Sequence, residues 1–256
     1  MTPKQGRAVY PSLVDKRVVI SGGGSGIGAG LVEAFIRQGA KVGFVDIARE
    51  ESEALVENLR GGQHAPVYRQ CDITDCDGYV ATLEELFDTL DGCDVLVNNA
   101  ARDDRHYVAD VGESEWDANM AVNLKHQFFA ARAAAPHMER AGGGSILNLG
   151  SISWHLGLED LVMYQTAKAA IEGLTRGLAR ELGRKNIRVN TIVPGNVKTP
   201  RQEKWYTPEG EAEIVSAQCL AGRIEPVDVA AMALFLASDD ARFCTAHNYW
   251  VDAGWR

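Results

Sequence analysis

The sequence predicts an α/β fold: a doubly wound parallel sheet with helices on both faces, in one domain spanning residues 1–256. Three observations predict it. Short apolar runs that read as buried strands alternate with amphipathic helical stretches along the chain. The first run, Arg17-Val-Val-Ile-Ser21, passes at once into Gly22-Gly-Gly-Ser-Gly-Ile-Gly28 and then into a helix. No repeat, low-complexity tract or linker divides the chain.

Composition excludes several classes. Hydrophobic residues make up 46% and charged residues 24%, ordinary for a soluble globular domain. No apolar run approaches the ~20 residues of a membrane span, and the first ten residues hold no apolar signal core, so a cytoplasmic location is expected. The five cysteines are odd in number and form no Cys-x-x-Cys pair, which fits reduced thiols. The histidines show no metal-ligand spacing, so no metal is expected. A net charge of −9 without a basic run makes nucleic acid and membranes poor partners.

The elements follow in order. Strand, glycine turn and helix, with Ile27, Leu31, Ala34 and Phe35 on one helix face, form the context of a dinucleotide site. Gly22, Ser25, Gly26, Ile27 and Gly28 let the backbone approach a pyrophosphate at a helix N-terminus. The next strand, 41–46, ends on Asp46. Its carboxylate suits ribose hydroxyls and repels a 2′-phosphate, and Ile47 adds no positive charge, so NAD is favoured over NADP. The alternative for Asp46 is a helix N-cap. A helix near 50–60 and a strand near 66–71 lead to Asp72-Ile73. Asp72 suits an adenine amino group, or else caps the helix that begins near 75. A fourth strand, 94–98, runs into Asn98-Asn-Ala-Ala101.

Residues 114–140 read as a helical stretch with Trp116, Met120, Leu124, Phe128 and Met138 as its apolar positions. Asn123 within it reads as a surface residue or a kink. The strand 145–149 delivers Ser151 at its carboxyl end, where ligands of open α/β sheets bind. A helix over 161–184 carries Tyr164 and Lys168, four residues apart and so on one face. An ammonium roughly 5 Å from a phenol is worth about 3 kcal/mol at a dielectric near 20, or about two units of pKa. That would bring Tyr164 close to working as a base, with Ser151 holding the oxygen whose proton it takes. After the strand 187–193, Pro194-Gly195 breaks the chain. Asn196-Val-Lys-Thr199 can then follow a nicotinamide, with the Val197 backbone on its carboxamide and Thr199 on a phosphate. Residues 200–224 look irregular: a lid over the substrate, or a surface loop with a partly buried Trp205. A helix over 226–237 and a strand over 248–251 close the chain.

Together these motifs resemble the short-chain dehydrogenase/reductase family over about 240 residues: Gly22-x-x-x-Gly26-Ile-Gly28, Asp46, Asp72, Asn98-Asn-Ala, Asn123, Ser151, Tyr164-x-x-x-Lys168 and Pro194-Gly195 with Thr199. The resemblance implies a Rossmann-type sheet of about seven strands and a catalytic set of Asn123, Ser151, Tyr164 and Lys168, with Asn123 holding a relay water. It reverses the surface reading of Asn123. Cofactor contacts are then expected from the glycine turn, Asp46, Asp72, Ile73, Asn99, Ala100, Tyr164, Lys168, Pro194, Gly195, Val197 and Thr199. Ser21 stands where the family usually has Thr, and Ala101 where it usually has Gly.

Within the family, residues 153–160, 196–210 and 248–256 resemble NAD-dependent enzymes that oxidise the anomeric hydroxyl of an aldose to a lactone. Xylose is the expected aldose. L-Arabinose, L-fucose, D-galactose or a keto-deoxy sugar acid is the alternative, and a non-catalytic NAD sensor is the rival of another class. The expected sugar contacts are Asp103, Ser151, Ser153, Trp154, Tyr164, Gln165, Asn196 and Arg201, with Trp154 as the flat wall. The resemblance further implies a homotetramer through the helical stretches 114–140 and 161–184 and the last strand, with Trp255 and Arg256 reaching a neighbour.

Overall fold

A computed structural model of the chain describes residues 7–203 and 207–255. In chain order the elements are β1 (Arg17–Ser21), α1 (Gly26–Arg37), β2 (Lys41–Asp46), α2 (Arg49–Leu59), β3 (Val67–Gln70), α3 (Cys76–Leu90) and β4 (Val95–Asn98). Then come α4 (Glu113–Met120), one π turn (Ala121–Lys125), α5 (His126–Arg140), β5 (Gly144–Leu149), α6 (Ser153–Leu156), α7 (Val162–Leu182) and β6 (Ile187–Pro194). Helices α8 (Pro200–Glu203), α9 (Pro208–Ala217) and α10 (Pro226–Ala237) precede β7 (Asn248–Val251).

The seven strands form one parallel sheet in the order β3-β2-β1-β4-β5-β6-β7. The five inner strands are buried on both faces, as a parallel sheet covered by helices requires, while the edge strands β3 and β7 are only partly buried. Within β1, Val18 and Ile20 pack with Leu31 and Phe35 of α1 and Val229 and Ala233 of α10, whereas Val19 packs with Leu83 and Phe87 of α3 and Ala134 and Met138 of α5. The order reverses direction between β1 and β4, so their carboxyl ends open a crevice. Both the glycine turn and the Asn98-Asn99-Ala100 turn leave the sheet there.

Two expectations fail. Trp116 and Phe128 are 40% and 44% exposed, not interior. Asn119, Asn123 and Gln127 take inward positions in the first half of that stretch at i, i+4 and i+8, while the second half buries alanines and Met138. Residues 200–224 are not irregular, because they contain α8 and α9. Pro208 at N1 and a Thr207 side chain accepting from Gly210 N (3.1 Å) start α9. The reading of Trp205 lies outside the described residues. The single turn of α6 was not expected.

Candidate active site

The crevice is assembled by short-range ties between β1 and β4. Ser21 Oγ accepts from Asn99 N (3.1 Å) and Ala100 N (3.2 Å). Asn99 Nδ2 donates to the carbonyls of Ser21 (3.1 Å) and Gly22 (2.8 Å). A serine hydroxyl therefore suffices where the family has threonine, and the Asn99 amide nitrogen holds the glycine turn in place. Gly22 has φ +67°, and a Cβ there would lie 2.8 Å from Ala100 Cα. A Cβ on Gly28 would overlap the Gly22 carbonyl. Gly26 has φ +53° and faces Thr199, whose Cγ2 would be 3.3 Å from an added Cβ. The turn is thus a bare-backbone cradle at the start of α1 with a hydroxyl residue opposite.

Asp46 sits at the end of β2, where Oδ2 accepts from Gly24 N (2.8 Å) and Oδ1 from Ala48 N (2.9 Å). It joins the glycine turn to the β2 end and is not the N-cap of α2, which is Ala48. Each oxygen retains a second lone pair for a ribose hydroxyl, and Ile47 beside it is 66% exposed. The capping alternative for Asp72 also falls. Asp75 caps α3 through Gly78 N (3.2 Å), while Asp72 Oδ1 accepts from Thr74 N and Oγ1 (2.9 and 2.7 Å). The Ile73 side chain is buried in the core. Pro194 ends β6, and its carbonyl accepts from Ile152 N (3.2 Å). Gly195 N donates to Val251 O (2.9 Å). Val197 forms a parallel bridge with Ile224 in which Lys198 N donates to Ile224 O at 2.7 Å. In that phase the N–H and C=O of Val197 itself point to the opposite side. The cradle, the carboxylate at the β2 end and this backbone pair turned away from the bridge fit a dinucleotide.

β5 brings Ser151 to the rim. Its Oγ donates to Ser153 Oγ (3.0 Å) and accepts from Ser153 N (3.1 Å), so the buried Ser153 orients the hydroxyl. Lys168 is 1% exposed, and its Nζ donates to Leu149 O (2.8 Å) and lies 5.4 Å from the centre of the Tyr164 ring. The expected proximity holds, but the expected shift of the phenol does not. Burial first and the Asp103 carboxylate second push Tyr164 up; the Ser151 hydroxyl and Arg201 pull it down. Burial also lowers Lys168 to about 8, against the opposing pull of Asp103. Removal from water is the largest influence on the phenol in the protein alone.

Asn123 lies fully buried in the π turn. Its Oδ1 accepts from Arg102 N and its Nδ2 donates to Arg102 O (both 2.9 Å) and to Asn119 Oδ1 (3.1 Å). The side chain thereby clamps the loop after β4. His106 fixes that loop at its other end. Its Nε2 accepts from Met163 N (3.3 Å) in the first turn of α7, while its backbone N donates to Asp160 O (3.0 Å).

The expected sugar contacts divide. Asp103 lies in this loop and pairs with Arg201 (2.9 Å). Gln165 spends its amide N–H on Leu158 O, and Asn196 Oδ1 accepts from Arg223 Nη2 (2.9 Å), which was not foreseen. Trp154 has partners that the sequence did not indicate. The turn of α6 carries it back over α7, where its Nε1 donates to Glu172 Oε1 (3.1 Å) and its ring lies against His155, 3.6 Å between centres. Glu172 also accepts from His155 Nε2 (2.9 Å) and from Asn248 at the edge strand. The indole N–H is thereby committed to this edge cluster. Among the described residues no group of His, Cys, Asp and Glu is arranged to hold a metal.

Comparison with known proteins agrees with this geometry. Residues 22–256 match the family model described as enoyl-(acyl carrier protein) reductase. The chain is 62% identical over 249 residues to the D-xylose 1-dehydrogenase of Caulobacter vibrioides, covering 97% of this chain and 99% of that one. It is 48% identical over 248 residues, 96% of each chain, to a Rhizobium meliloti protein described as a "probable galactose dehydrogenase". A crystal structure from Sinorhizobium meliloti 1021, described as a short-chain alcohol dehydrogenase, superposes with a TM-score of 0.90. That protein is 30% identical, with 96% of this chain and 98% of the other covered. The chain belongs to the short-chain dehydrogenase/reductase family of oxidoreductases.

Proposed function

We propose that the protein oxidises the C1 hydroxyl of an aldose, D-xylose foremost, to the aldonolactone with NAD. The observation that carries the chemistry is the meeting of Ser151, Tyr164 and Lys168 at the crevice that the glycine turn and Asp46 border. Identity of 62% to a D-xylose 1-dehydrogenase supports the aldose.

Bound NAD supplies the acceptor for the hydride that leaves C1. Gly22, Ser25, Gly26, Ile27, Gly28 and Thr199 hold the pyrophosphate; Asp46 takes the ribose hydroxyls; Asp72 and Ile73 receive the adenine. Asn99, Ala100, Pro194, Gly195 and Val197 border the nicotinamide. Ser151 fixes the C1 oxygen. Tyr164, as the phenolate that Lys168 stabilises, takes its proton and becomes the neutral phenol. A water on Asn123 passes the proton onward, held at the backbone because the amide is spent on Arg102. Asp103, Gln165, Asn196 and Arg201 surround the sugar, with residues 200–224 as the lid of a single domain. The exposed Trp116 and Phe128 support a homotetramer through α4, α5 and α7. Light scattering at the mass of four chains is the expected result. The free cysteines and the absence, among the described residues, of a helix able to cross a membrane support a cytoplasmic enzyme.

Initial rates of cofactor reduction across pentoses, hexoses, deoxy sugars and keto-deoxy acids test the reading. Xylose with NAD should lead. Preference for another aldose would keep the chemistry and discard xylose; no turnover of any sugar would discard the reading. Asp46→Asn should raise the KM for NAD roughly 10- to 100-fold, the worth of charge-assisted hydrogen bonds to the ribose. It should also narrow the preference over NADP. An unchanged KM would remove Asp46 from the cofactor site.

A further inference from the structure

Helix α8 reaches back to the loop after β4. Arg201 Nη2 lies 2.9 Å from Asp103 Oδ1 and 3.2 Å from Asp104 Oδ1, and Gln202 Nε2 donates to Asp103 Oδ2 at 3.2 Å. Asp104 has a second cation, Arg102, at 2.7 Å. Asp103 is the more enclosed carboxylate, 34% exposed against 57%. Its loop is pinned on both sides, by Asn123 at Arg102 and by Met163, the residue before Tyr164, at His106. Asp103 is therefore held near the phenol by the body of the fold, whereas its countercharge arrives from a different segment.

A carboxylate near a phenol opposes its ionisation, and a guanidinium on that carboxylate offsets most of the opposition. Resting on the reading of Tyr164 as the proton acceptor, we propose that Arg201 is a positioning residue for Tyr164. By pairing with Asp103 it cancels the charge beside the phenol, so the base is competent only while α8 lies against the loop after β4. The lid would then set the timing of proton removal as well as enclosing the substrate.

The directions agree: Asp103 pushes the phenol up and Arg201 pulls it down. The groups that face the phenol are Lys168 from its own helix, Asp103 from the loop after β4, Ser151 from the loop after β5 and Arg201 from α8. From α5, His126 acts on Lys168 but stays uncharged near neutrality, because burial and then Lys168 lower it to about 3. Asn123 of the π turn and His106 of the loop hold backbone groups. The loop's arginines are engaged elsewhere, Arg102 on Asp104 and Arg105 on the Glu159 carbonyl.

The test is the pH profile of kcat/KM for the aldose at saturating NAD, with kcat and KM resolved separately. It compares the wild type, Arg201→Gln, Arg201→Lys, Asp103→Asn and the double variant Asp103→Asn/Arg201→Gln, with thermal unfolding as the check on folding. Arg201→Gln should move the acid limb to higher pH by about one unit, so that activity below the limb falls about tenfold and recovers at high pH. Arg201→Lys should restore most of the shift by restoring the charge. Asp103→Asn should move the limb downward, and adding Arg201→Gln to it should bring the limb back toward its wild-type position, because the two opposite charges are then both gone. A limb that stays in place in Arg201→Gln, with only KM raised or with kcat lowered equally at every pH, would overturn the proposal. It would make Arg201 a sugar contact alone, or a simple latch, with no part in setting the phenol. Wild-type turnover of the aldose, from the sugar panel, keeps this failure distinct from failure of the functional reading.

Discussion

Replacing Tyr164 by phenylalanine is expected to lower kcat for aldose oxidation by roughly 10³- to 10⁴-fold, the upper part of what a positioned acid–base group contributes. The ring remains and only the hydroxyl is lost. Ser151 keeps both of its bonds to Ser153, and Lys168 keeps its bond to the Leu149 carbonyl, so the surrounding geometry has other supports. The Kd for NADH, followed by fluorescence, should therefore stay within about threefold of wild type if the loss is confined to the proton acceptor. A variant that kept more than a tenth of the wild-type kcat would remove Tyr164 from that role. A variant that lost cofactor binding to the same degree as turnover would make it a structural residue.

Lys168→Met should lower kcat about 100-fold, because a charge near 5 Å from the phenol is worth about 3 kcal/mol. The same change should leave a pH signature in stability. Burial lowers Lys168 from 10.5 to about 8, so between those values the folded chain binds fewer protons than the unfolded chain. Wild-type stability then gains with rising pH through that window, by about 3 kcal/mol for this one group. The penalty for the buried ammonium is fully present below 8 and gone above 10.5. Methionine carries no such penalty. The Leu149 carbonyl loses its donor at every pH, which offsets the gain by a constant amount. The difference in Tm, variant minus wild type, should therefore be most favourable near neutral pH and fall as pH rises toward 10. A difference that stays flat would mean that Lys168 does not carry the burden its burial implies.

Much of this was legible in the sequence because local rules and tertiary packing agree. The glycine turn follows a strand and opens a helix, and helix α10 and strand β7 lie where the apolar pattern puts them. Tyr164 and Lys168 share a face because four residues on a helix leave them no alternative. The failures come where a long-range partner decides. Periodicity cannot tell that Asn119, Asn123 and Gln127 point inward, because what makes them acceptable there includes the Arg102 backbone, which the fold supplies. The one-turn helix α6 leaves no pattern long enough to read, and it redirects Trp154 to Glu172. Nor does spacing reveal that Arg223 would hold Asn196. The expected phenol shift counted the ammonium and omitted desolvation, which spacing does not report. Clustering of Asp103 with Arg201 was visible only as two polar residues, each read as a sugar contact.

The most direct test of the account is the fate of the hydrogen on C1. D-Xylose carrying deuterium at C1 should deliver one deuterium to NADH for each lactone formed, and turnover should show a primary isotope effect if hydride transfer limits the rate. Deuterium retained in the sugar product while NAD is reduced would contradict the account, since oxidation would then have taken place at a different carbon.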